Sequence, residues 1–532
     1  MIQLLRIAFS TFVLSFLSLA VFANSGLGLI DAAKKGDTAE IKSLLKSSAD
    51  VNTKKADGTT ALHYAVHLND LGLAKLLVKS KANPDVANDY GITPLSLACT
   101  NRNGDMVELL LDAGANANAE KWSGESVLME CVRTGATDAV AALLNAGAIP
   151  NVSEDKMGQT PLMWAAAGGH AEITKLLLDH GADISPKTLA SEDRVPNTCR
   201  ICEWKPSPGG FTALMFAARA GNIDTARLLL DAGADINEAT DEYGNPLVIA
   251  AASNHEDLAI FLLESGADPE SKDENGVTAL HHAHQNGLSY MHGITYDPSY
   301  RLRPKNQPKL VKALLETGAD PNAQIEKSYL IGPAIRSSCE SVSNMVGATP
   351  YFLAAVSADA ELLRLLSEYE ADATLTTKNG NTPLMVAARS SCTGMNQEDN
   401  TSPAKRARAL EAIKSIVAMG VDVNAVNEDG ETAMHKAAFT GATNIVQFLA
   451  DNGANIDARN SNGETPWSMA LGMAPSFNNV GAYGVHEETA ALLVKLGATQ
   501  ISRDEMNTPD AYSNFFGRDI SIDYGDTTAQ PQ

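Results

Sequence analysis

The chain repeats itself at intervals close to 33 residues, and that period limits the fold more than any other feature. The segments 57–88, 91–120 and 158–185 can be laid over one another: "DGTTALHYAVHLNDLGLAKLLVKSKANPDVAN", "GITPLSLACTNRNGDMVELLLDAGANANAE" and "GQTPLMWAAAGGHAEITKLLLDHGADIS". Each has a glycine at or next to its start, then Thr-Pro-Leu or Thr-Ala-Leu, an Ala-rich stretch, a polar turn, a Leu-rich run and a closing Gly-Ala or its equivalent. The opening glycines recur at Gly58, Gly91, Gly124, Gly158, Gly210, Gly244, Gly276, Gly347, Gly380, Gly430 and Gly463. Threonine before a helix caps free backbone N–H groups, and proline at the first helical position sacrifices no hydrogen bond. The closing glycines, Gly114, Gly147, Gly181, Gly233, Gly266, Gly318, Gly420, Gly453 and Gly497, suit the left-handed conformation that stops a helix. The unit therefore reads as a short Ala-rich helix packed on a Leu-rich one. It is too small to bury its own apolar face, so the units must stack, each contacting its neighbours.

The pattern resembles the ankyrin repeat family, whose units are of this length and carry a T-P-L-H box. The resemblance covers about residues 27–499. It implies an all-α solenoid of about 12 helix-turn-helix units with β-hairpin fingers. The box histidine is kept at His63 and His281, and Thr432-Ala433-Met434-His435 is close to it. Gly244-Asn245-Pro246-Leu247 is one residue short, and Tyr351 stands where the box leucine belongs. The first unit, residues 29–52, lacks the box and has the lysine-bearing look of a cap. The expected organisation is a signal peptide at 1–23, the solenoid at 24–499 and a partly disordered tail at 500–532.

Arg6 is the one charge before an apolar run from Ile7 to Phe22, which ends Val21-Phe22-Ala23. That is the pattern of a cleavable secretory signal, and the run is short for a membrane span. The mature chain is expected to be periplasmic or secreted, monomeric and without a membrane span. A formal charge of -23 argues against nucleic acid and anionic lipid, which need clustered Lys and Arg. It leaves protein partners open.

Insertions break the period at 185–209, 288–308, 324–346, 392–406 and 473–485. Cys199 and Cys202 lie in the first. A following His would suit haem attachment, and Glu203 stands there instead. Pro206, Pro208, Gly209 and Gly210 keep a helix from starting close behind, as a redox pair requires. Zinc needs four ligands. In an oxidising compartment a local disulfide is the expected outcome, with redox and metal chemistry as alternatives. Cys339 and Cys392 sit in insertions of adjacent repeats and are expected to pair. Cys99 and Cys131 replace alanines of the inner helices. With repeats about 10 Å apart they are expected to be buried thiols out of bridging range. His281, His282, His284 and His292 form a second cluster. His281 is the box histidine, and a metal site there is the sharper but less favoured reading.

No G-x-S-x-G, H-E-x-x-H or P-loop appears, so no enzyme and no cofactor is expected. The ankyrin resemblance implies binding through finger tips and the exposed edge of the inner helices. Carried onto this chain, the finger positions are Tyr90, Trp122, Met157, Phe211 and Tyr243, with Trp204 beside the Cys pair. The helix-edge positions include Arg133, Arg219 and Phe439. Exposed aromatics and arginines are what protein interfaces favour. The expected function is an exported scaffold that binds an unidentified protein on its concave face. The alternatives are a redox or metal-binding protein using Cys199/Cys202 or the His281–His292 cluster, and a structural spacer.

Overall fold

The computed structural model describes residues 25–190, 209–284, 306–327, 345–389, 403–473, 485–502 and 505. They fall into two compact units, one running to Asp273 and one starting at Glu274. Among the described residues the first unit holds seven helix pairs and the second five.

In the first unit the inner helices after the opening helix at 25–35 are Ala61–His67, Pro94–Thr100, Val127–Thr134, Pro161–Ala167, Ala213–Ala220 and Pro246–Ala252. Their outer partners are Leu71–Lys79, Gly104–Asp112, Thr137–Asn145, Ala171–Asp179, Ile223–Asp231 and Glu256–Glu264, with Thr38–Lys46 completing the first pair. In the second unit the inner helices are Ala279–His282, Pro350–Val356, Pro383–Arg389, Ala433–Phe439 and Pro466–Ala470. The outer ones are Pro308–Glu316, Ala360–Glu368, Pro403–Val417, Thr443–Asp451 and Glu487–Leu496.

The same few contacts recur from pair to pair. The cap residue before the inner helix accepts a backbone N–H three residues on, as Thr93 does from Ser96 and Thr160 from Met163. Each repeat buries a wholly enclosed apolar residue of its outer helix, among them Leu77, Leu110, Leu143, Leu177, Leu229, Leu262, Leu314, Leu366, Leu449 and Leu493. Burying each such leucine stabilises the stack by about 1.5–3 kcal/mol. Opposite them, Ala65, Ala98, Ala165, Ala217 and Ala250 are wholly buried, and their small side chains let the inner helices approach closely. Four residues beyond the buried leucine the backbone turns left-handed, at φ 92° in Gly114 and 95° in Gly233. Lys81 and Glu370 adopt the same conformation without being glycine, at φ 68° and 64°.

Side chains then rivet repeat to repeat. Asn151 donates to the Gly181 carbonyl (3.0 Å) and accepts from Asp183 N–H (2.8 Å). Asn118, Asn237 and Asn424 make the same pair of bonds one repeat onward. Where the box histidine is present it does likewise. His63 Nδ1 accepts from Thr60 N–H (3.2 Å), and Nε2 lies 3.1 Å from the Ile92 carbonyl of the next repeat. His281 and His435 repeat this with Ala348 and Glu464.

The fingers are tight turns rather than strand ladders. Lys121 N–H donates to Glu125 O, and the next finger is reached by Asp155 N–H donating to Ser123 O. Among the described residues the extended pairing amounts to isolated bridges, such as Glu120 with Ser126 and Thr240 with Gly244. The expected β-hairpin fingers are thus reduced to their turns. No helix among the described residues is long and apolar enough to cross a membrane. The residues of the expected signal peptide and most of the expected tail lie outside the described residues.

One expectation is overturned. Cys99 and Cys131 are bonded to each other, with Cα atoms 4.5 Å apart. The spacing of about 10 Å that excluded a bridge is a distance between helix axes. Each Cα sits about 2.3 Å off its axis, so two residues that face each other across axes about 9 Å apart come within about 4.5 Å. Cys99 is the second residue of the small pair in its helix and Cys131 the first in the next. One looks forward along the stack and the other looks back.

Candidate protein-binding surface

In the first unit the finger turns and the exposed edge of the inner helices carry most of the residues singled out above. Trp122 is 87% exposed and Tyr90 66%, each at the tip of its finger. They are neighbours, because a Cβ built on Gly91 would sit 3.8 Å from the indole Cδ1 of Trp122. The finger beneath Trp122 is held by an ion cluster. Lys121 pairs with the buried carboxylate of Glu130 and lies 3.2 Å from Glu125. Burial works against the lysine charge, but the two carboxylates outweigh it and hold its pKa above the ordinary value.

Arg133 is exposed at the end of its inner helix and lies over the Trp164 ring, 5.9 Å from its centroid. Trp164 is anchored by an indole N–H donating to Gln159 (2.8 Å). One repeat further, Arg219 lies over Phe211 (5.5 Å) and Phe216 (5.0 Å). Phe211 meets Tyr243 edge-on at 5.2 Å. Phe211, Arg219 and Tyr243 therefore form one cluster, an arginine lying over aromatic rings at the exposed end of its inner helix. Met157 is half-buried, and its carbonyl accepts from Leu189 N–H. In the second unit Phe439 sits under Arg389 at 5.4 Å. Trp204 lies outside the described residues, as do Cys199, Cys202, Cys339 and Cys392.

Trp164 and Phe216 were missed. Both occupy the position after the box histidine, and that register was the signal available in the sequence.

The histidines are built into the stack. His281 is wholly buried with Nδ1 taken by Thr278 and Nε2 3.4 Å from the Ala348 carbonyl. His284 is wholly buried, with Nδ1 2.7 Å from the Leu280 carbonyl and Nε2 without a partner among the described residues. Burial pushes the pKa of each ring down to about 4. His282 is buried nearby, and His292 lies outside the described residues. Among the described residues no three metal-ligating side chains converge.

Comparison with known proteins agrees with this architecture. The family described as "Ankyrin repeats (3 copies)" matches residues 29–121, 113–188, 197–273 and 214–325, and "Ankyrin repeats (many copies)" matches 404–450. A zebrafish (Danio rerio) ankyrin repeat and SAM domain-containing protein 6 is 34% identical over 228 residues, covering 41% of this chain and 30% of that protein. The human neurogenic locus notch homolog protein 1 is 35% identical over 265 residues, 49% of this chain and 7% of its own length. The Arabidopsis thaliana E3 ubiquitin-protein ligase KEG is 26% identical over 328 residues, 60% of this chain and 18% of its own. The chain spans less than a third of each of these relatives. The matched segments take in more than half of the 532 residues, and the chain belongs to the ankyrin repeat family.

Proposed function

We propose that this chain is an exported scaffold that binds a partner protein through the finger tips and inner-helix edge of its first unit, the concave side of an ankyrin stack. Ankyrin repeats generally mediate protein–protein interaction. What carries the finer reading is the row of Tyr90, Trp122, the Arg133–Trp164 pair and the Phe211–Arg219–Tyr243 cluster, on neighbouring repeats of a rigid frame. Trp, Tyr and Arg anchors of this kind supply most of the energy in protein interfaces. The apolar run from Ile7 to Phe22 supports export to the periplasm or the medium. The side chains brought together here have the character of a docking surface, with rings and guanidinium groups at the tips and no nucleophile poised against a base.

Cross-linking in the native compartment followed by mass spectrometry tests this. A Trp122→Ala/Tyr243→Ala pair should lose a partner that the unaltered chain retains. Equal recovery by both removes the aromatic surface from the account.

A further inference from the structure

We propose that the Cys99–Cys131 bridge is a native covalent clamp between the third and fourth repeats, closed in an oxidising compartment and shielded by the stack from later reduction. Several other repeats hold alanine at both equivalent positions, as in Ala165-Ala166, Ala217-Ala218, Ala250-Ala251 and Ala437-Ala438, all buried. Cysteine replaces them at the two positions that face each other across one junction, and both cysteines are wholly buried. A tie at that junction is not redundant. In a stack each repeat is held by its neighbours alone, and this junction carries Tyr90 on one side and Trp122 and Arg133 on the other. Thr134 reinforces it, its hydroxyl lying within hydrogen-bond distance of the Cys99 and Cys131 carbonyls at 3.1 and 2.9 Å.

Closure is a two-electron exchange with a disulfide-bearing oxidant, either a thiol–disulfide oxidoreductase or a small disulfide such as oxidised glutathione. One cysteine thiolate attacks the oxidant, forming a mixed disulfide and releasing a thiolate that takes up a proton. The second cysteine, having lost its proton, attacks the protein-side sulfur. The Cys99–Cys131 bond forms as the second carrier thiol leaves. The protein loses two electrons and two protons, and the oxidant gains them. With neither sulfur at the surface, both exchanges take place while the two repeats are apart. Once they stack, a reductant must wait for them to open.

The proposal rests on the export reading only for its compartment, and the tests separate the two. Full-length protein from exporting cells, unfolded in guanidinium with N-ethylmaleimide and digested without reductant, should yield a linked peptide pair containing Cys99 and Cys131. Protein refolded in a glutathione redox buffer should yield the same pair. Absence of the link in the refolded protein, or its replacement by links to other cysteines, overturns the clamp. A link in refolded protein but free thiols in the cellular protein overturns the oxidising compartment and the native clamp with it, and shows only that the folded pair can close. Dithiothreitol should reduce the pair far more slowly in buffer than in 4 M urea; equal rates contradict the shielding. Cys99→Ala/Cys131→Ala restores the alanines used elsewhere, so it should fold with unchanged circular dichroism. Its amide exchange over 93–134 should rise on the order of a hundredfold. Unchanged exchange means the bridge clamps nothing.

Discussion

His284 makes the second unit sensitive to acid, and replacing it should remove much of that sensitivity. The ring is wholly buried, one nitrogen has no partner among the described residues, and its pKa is lowered to about 4. Burial is the main cause, and the Leu280 carbonyl and the Asp359 carboxylate oppose it only in part. His281 is lowered to about 4 for the same reason, with the charge of His284 adding to it. The unfolded rings titrate near 6.5. A folded pKa below the unfolded one means that the unfolded chain binds more protons between the two values. The stability from a neutral ring is therefore whole above about pH 6.5 and is lost as pH falls toward 4. Linkage puts the loss at about 2 kcal/mol per ring between pH 7.5 and pH 5, and about 3 kcal/mol when complete. His284→Ala restores the small residue of the other repeats. It sets a fixed cost for the emptied volume, but it should flatten the pH dependence by about 2 kcal/mol over that range. Amide exchange of peptides covering 276–284 and 345–356, corrected for the intrinsic pH dependence of exchange, reads this locally. A variant whose protection falls with acid as steeply as that of the unaltered chain refutes the assignment to His284.

Three further outcomes follow from the packing. Glu370→Gly and Lys81→Gly relieve left-handed backbone at non-glycine residues, so each should raise stability by about 1 kcal/mol in thermal or urea unfolding. Asn237→Ala deletes the donor to Gly266 and the acceptor from Asp268. It should cost about 1–2 kcal/mol, read as faster amide exchange across that junction. Lys436 and Glu431 form a buried pair in which Lys436 outweighs the burial that would raise the glutamate's pKa and holds it low. Lys436→Ala should therefore destabilise by about 3–5 kcal/mol, and the double change Lys436→Met/Glu431→Gln by much less, in paired urea titrations.

Much of this was legible because each repeat solves the same local problem with the same residues. Thr-Pro-Leu marked many of the inner helices, and the glycine after most Leu-rich runs marked the outer helix ends. The box histidines told their own role through Thr60, Thr278 and Thr432. What was not legible was geometry across the stack. Cys99 and Cys131 differ by one position in the repeat, and that offset turns two sulfurs toward each other, yet a repeat spacing taken between axes hides it. The grouping of Phe211, Arg219 and Tyr243 depends on how a finger folds over the neighbouring helix, and spacing along the chain does not encode that. Trp164 and Phe216 were visible as residues but not as ring platforms for arginine.

The most direct test of the binding surface is site-specific photo-cross-linking from single positions of the full-length protein in its own compartment. A photoreactive phenylalanine at Trp122 or Tyr90 should capture one discrete partner. The same probe at Lys175, exposed on an outer helix of the same unit, should capture none. Capture from Lys175 with none from Trp122 or Tyr90 would contradict the account, because the partner would then lie on the opposite side of the repeats.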